Sequence, residues 1–124
     1  MRSIVLCLLF AAAVTRGEEP VRGPVIEGFG PAFKVEDLAV PVDAGVERKV
    51  ALDVLHSRPE GVNPFIESAA RYLNMHALRG VPTDKMRVAL VVHGPATFDV
   101  LNDEAHMERK GSPNPNAGLL SALL

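Results

Sequence analysis

The residues best placed to do chemistry are one histidine and three asparagines. His93 directly follows the apolar run Val88-Ala89-Leu90-Val91-Val92. Imidazole titrates near neutral pH, so His93 is a candidate acid, base or orienting donor. Asn63, Asn114 and Asn116 stand where helices are expected to begin. Helix starts present free amides and a partial positive charge, which suits an anion. A plainer reading stays open beside this one, in which His93 closes a turn and the asparagines only cap helices.

Other constellations are weaker. His93, Asp99, Asp103, Glu104 and His106 fall in one short stretch, but their spacing matches no metal-ligand motif. Asp103, Glu104 and Glu108 read instead as a solvated face, and no metal is expected. His76 lies beside a helix stripe, and His56 ends a strand. No glycine cluster follows a strand in the Gly-x-Gly-x-x-Gly arrangement, and no Gly-x-Ser-x-Gly elbow is present. No cofactor is implied.

These residues need elements to position them. Val46 to His56 alternates Val50, Leu52 and Val54 with Lys49, Ala51 and Asp53, a strand with period two. Asn63 to Arg79 is the best helix. Asn63 caps it, Pro64 takes the tolerated first position, Ile66, Ala69, Ala70, Leu73 and Ala77 form a stripe, and Gly80 closes it. Met86 to Val92 is a second strand, and its unbroken apolar run predicts cover on both faces. Strand, helix, strand makes a βαβ unit with parallel strands. A short helix is expected near Ala96 to Leu101, with a further helical turn or two within Asp103 to Lys110. Asn114-Pro115 repeats the cap-proline device before a helix striped by Leu119, Leu120, Leu123 and Leu124. In such sheets ligands gather at the carboxyl ends of the strands, where His93 and the three asparagines fall. So apolar a second strand wants a neighbour on each edge. This reading therefore expects an α/β domain with a parallel sheet, incomplete at its C-terminus.

The 124 residues suffice for one modest domain. Met1-Arg2-Ser3, the apolar run Ile4 to Val14, and Thr15-Arg16-Gly17 read as a signal peptide over residues 1–17. A buried N-terminal helix is the alternative. A lipid anchor on Cys7 is disfavoured because Leu6 stands where a small residue is needed. Without Arg2 and Arg16, 11 basic side chains face 15 acidic ones, a formal charge of −4. No basic stripe remains, so nucleic acid is not the expected partner, nor is a membrane after cleavage. Cys7 is the only cysteine. Once it is removed, no disulfide or thiolate remains, which suits the periplasm as well as the exterior. Residues 18–45 are rich in Gly and Pro and read as an extended arm pinned by Phe33, Val35 and Leu38, with a short edge strand over Val35 to Val42. Residues 46–124 form the domain proper.

Val88-Ala89-Leu90-Val91-Val92-His93-Gly94-Pro95-Ala96, then Asn114-Pro115-Asn116 before Leu119-Leu120-Ser121-Ala122-Leu123, resembles the DsrE/DsrF-like (sulfur-relay) family, in its exported branch. Tyr72-Leu73-Asn74 fits as well, and the resemblance covers roughly residues 28–124. It implies a flavodoxin-like or YchN-like fold, homo- or hetero-oligomers such as trimers or hexamers, and a pocket lined by Asn74, His93, Asn114 and Asn116. Family members carry sulfur as a cysteine persulfide. Their Cys-Gly segment follows the next strand, past the point where this sequence stops. Without a thiolate the carrier role does not transfer. His106 also stands where an aromatic residue is expected. A second expectation is a non-enzymatic binding or assembly module, with the sheet edge and the leucine-rich last helix as its interface.

Overall fold

The computed structural model describes residues 18–124. The signal-peptide reading and Cys7 therefore lie outside the described residues. Two strands, β1 (Arg48–Val54) and β2 (Met86–Val92), flank helix α1 (Pro64–Ala77), and the short helices α2 (Asp103–Lys110) and α3 (Ala117–Leu123) follow. A 3-10 turn at Thr83–Lys85 leads into β2, and the short helix expected near Ala96 to Leu101 is a 3-10 helix over Gly94–Val100. The protein is thus mixed α/β with a two-stranded parallel sheet. Its register runs from Arg48 opposite Met86 to Val54 opposite Val92.

α1 forms for the local reasons visible in its sequence. The Asn63 side chain accepts from the Phe65 amide at 2.9 Å, Pro64 follows, and Gly80 turns the chain at φ 79°. α2 is capped by Asn102, which accepts from Ala105, and closed by Gly111 in the left-handed region. The second asparagine-proline pair makes the same turn as the first: Asn114 accepts from the Asn116 amide at 2.9 Å. Here the helix opens later, at Ala117, whose amide bonds the Asn114 carbonyl at 3.1 Å. Asn114 therefore closes a turn ahead of α3 rather than capping it.

One core joins the arm, the sheet, α1, the 3-10 helix and α3. Val54, Ile66, Ala70, Ala96 and Leu119 are buried together with Ile26 from the arm, and Leu73, Leu90, Val92, Leu120 and Leu123 pack around them. The expectation that both faces of β2 are covered does not hold. Val88, Leu90 and Val92 are partly buried, while Arg87, Ala89 and Val91 are exposed, so the apolar run conceals a period of two. β1 alternates in step, leaving Lys49, Ala51 and Asp53 exposed.

The arm differs from expectation in what pins it. Val21 and Ala32 pair antiparallel through two backbone bonds of 2.8 and 2.9 Å, closing a loop whose Ile26 enters the core. Phe33, Val35 and Leu38 are instead exposed, and residues 35–42 form no strand. Besides the burial of Ile26, polar bonds hold the loop, because Asn74 of α1 satisfies its backbone. Asn74 Oδ1 accepts from the amides of Val25 (3.0 Å) and Ile26 (2.8 Å). Its Nδ2 donates to the carbonyls of Ile26, Phe29 and Gly30. Gly30 rests directly on α1: a Cβ there would overlap the Ala70 carbonyl carbon and the Arg71 amide.

Candidate functional site

At the carboxyl end of the strands, the loop after β1 and the 3-10 helix after β2 meet the starts of α1 and α3 around one buried carboxylate, Asp99. Ser57 Oγ donates to Asp99 Oδ1 at 2.6 Å, and Asn63 Nδ2 donates to Oδ2 at 2.6 Å. Asn63 Nδ2 also bonds the His56 carbonyl at 2.8 Å. The Asn63 amide reaches Asn116 Oδ1 at 2.6 Å, and Asn116 Nδ2 bonds Asn114 Oδ1 at 3.1 Å. Asn114 Nδ2 closes the network on the carbonyls of Asp99 and Leu101, at 2.9 and 2.6 Å. Buried polar groups demand such partners, and among the described residues no buried side-chain donor or acceptor lacks one. The network welds four segments together by mutual satisfaction.

Above it lies a cleft of about 490 Å³ lined by Ser57, Arg58, Glu60, Asp99, His106 and Lys110, among others. His106 Nδ1 is 2.6 Å from the Ser112 carbonyl. A carbonyl only accepts, so Nδ1 carries the proton and Nε2 of the neutral ring is an acceptor. Lys110 Nζ sits 4.2 Å above the Phe98 ring, a cation–π contact. The cleft offers polar contacts to a small molecule but no chain of nucleophile, base and orienting group. Ser57 donates to Asp99, and both Asp99 oxygens are already held.

The four residues of the expected pocket do not come together. Asn114 and Asn116 adjoin beneath the cleft, with their hydrogen-bonding capacity turned inward. Asn74 lies 11 residues beyond Asn63, about 16 Å along the helix, and faces the arm. His93 takes its place on the exposed sheet face, where Nε2 meets Asp53 Oδ1 at 2.6 Å. That pair is solvated, with half of the His93 side chain and most of Asp53 exposed. None of the four lines the cleft. The start of α1 does not offer an anion site either. Pro64 has no amide, those of Phe65 and Glu67 bond Asn63, and the Ile66 amide alone does not make a site.

Sequence reasoning missed Ser57, weighed Asp99 only as a metal ligand, and weighed Asn63 as an anion-facing helix start or a cap, not as a partner of Asp99. One signal was present: a capping asparagine uses its oxygen, so a buried one must find acceptors for its amide protons. Comparison of the chain with protein-family models, curated proteins and solved structures finds no match.

Proposed function

We infer that the chain is a non-enzymatic assembly module of DsrE-like architecture that associates with copies of itself through the bare face of its sheet. One observation carries this reading. Parallel sheets are ordinarily covered on both faces, and here the face opposite α1 and α3 is open. Its pattern is self-complementary. Lys49 and Arg87 stand at one end with Glu47, 3.1 Å from Lys49 and 4.0 Å from Arg87. Ala51 and Ala89 fill the middle, and Asp53, opposite Val91 and bonded to His93, closes the other end. Lys49 and Asp53 are about 13 Å apart along β1. A two-fold axis through the middle sets the basic end of one copy against the acidic end of the other, with small apolar side chains between, as an isologous contact requires.

In this reading the resemblance to sulfur-relay proteins bears on architecture and not on transfer, because persulfide chemistry needs a thiolate and the single cysteine, Cys7, lies in the segment read as a signal peptide. Light scattering after size-exclusion tests the reading. A dimer or hexamer is expected, since both contain two-fold contacts. Asp53→Lys weakens association about tenfold, and Lys49→Asp combined with Asp53→Lys restores it. A monomer at all concentrations, a pure trimer, or a double variant no better than the single one refutes the interface.

A further inference from the structure

On the far side of α1 from the sheet, the arm leaves an apolar groove of about 720 Å³ beside the helix. Phe33, Val35, Leu38 and Val42 of the arm form one wall, and Met75 of α1 forms the floor. Phe33, Val35, Leu38 and Met75 are each at least two-fifths exposed, so this apolar surface is presented rather than packed. Arg71 and Arg79 flank Met75 at four-residue spacing, about 12 Å from end to end. Each guanidinium spends one bond on the arm: Arg71 Nε on the Pro31 carbonyl at 3.1 Å, Arg79 Nη1 on the Val35 carbonyl. Among the described residues neither arginine has a carboxylate within ion-pair distance. The groove therefore combines an apolar lining with permanent positive charge that no acidic side chain among the described residues pairs with.

We propose that this groove binds a free single-chain amphiphile with a carboxylate head, its tail along Phe33, Val35, Leu38 and Met75 and its head on the Arg71 or Arg79 guanidinium. A guanidinium suits a carboxylate because two parallel N–H groups match its two oxygens. The volume falls in the ordinary range for small-molecule sites. The remaining cationic candidate in the lining is His76, whose pKa burial and then the Arg48 charge push down, so the two arginines carry the recognition. This site lies apart from the proposed assembly face, and its test does not depend on that reading.

Calorimetric titration of the full chain with dodecanoate, below its micelle concentration, decides the matter. Saturable one-to-one binding is expected, strengthening about fourfold per added methylene from octanoate to dodecanoate. Dodecyltrimethylammonium, with the same tail and opposite charge, does not compete. Arg79→Glu and Leu38→Asp each weaken binding about tenfold or more. Leu38→Asp guards against misfolding, because Leu38 is on the surface arm and outside the core; its thermal unfolding matches the parent. The proposal falls if binding does not saturate, if the cationic analogue binds equally, or if Leu38→Asp binds as the parent does. It also falls if the chain takes up only anionic vesicles and not the free amphiphile.

Discussion

Asn74 shows how one side chain can look functional and be wholly structural. A buried polar residue late in an amphipathic helix suggests a pocket, yet here its five hydrogen bonds all end on the backbone of residues 25–30. Removing them strands two amides and three carbonyls in a part of the chain with no other partners for them. Asn74→Ala should lower unfolding free energy by about 3 kcal/mol, the scale for unsatisfied buried groups. Denaturant titration reads the loss, and amide exchange should locate it in residues 21–32. A change below about 1 kcal/mol would mean that water replaces the side chain at little cost. The asparagine network around Asp99 follows the same logic, because each amide group there completes another residue's bonding.

Elements answer to packing between them. Gly30 sits at φ 58° against the α1 backbone, where neither the dihedral nor the space admits a side chain. Gly30→Ala should destabilise the protein by about 2–4 kcal/mol and open the arm to limited proteolysis near Val21 to Ala32. The same substitution at Gly28, with nothing near its Cβ position, should cost less, leaving only its backbone strain at φ 80°. α1, β1 and β2 were legible in the sequence because asparagine, proline, glycine and the apolar spacing all agreed. The arm was not, since its anchors are a helix asparagine and a glycine–alanine approach, which leave no periodic trace. The facing of β2 was not legible either, because Ala89 and Val91 are apolar yet exposed. Of the site, the strand-end location could be read. The partners of His93 and the asparagines could not, since hydrogen-bond direction depends on tertiary neighbours.

Over the whole molecule, one histidine links protonation to folding. Burial, and then the positive charge of Arg48, lower the His76 pKa. The neutral ring is thus favoured in the folded chain, and the unfolded chain binds the proton more readily. The stability involved is complete above the ordinary imidazole pKa of about 6.5 and declines as pH falls below it. His76 is only part-buried, so the effect should be modest. Urea midpoints at pH 8 and pH 5 should differ less in His76→Gln than in the parent. An unchanged difference would assign the acid sensitivity to other groups.

The loop held by Asn74 also has a consequence during synthesis. Ile26 precedes its anchor by 48 positions. At ordinary translation speeds of about 5–20 residues per second, the arm leaves the ribosome roughly 2–10 s before Asn74 does. For that interval its amides have only water, so the arm emerges ahead of the domain and is among the last parts to settle.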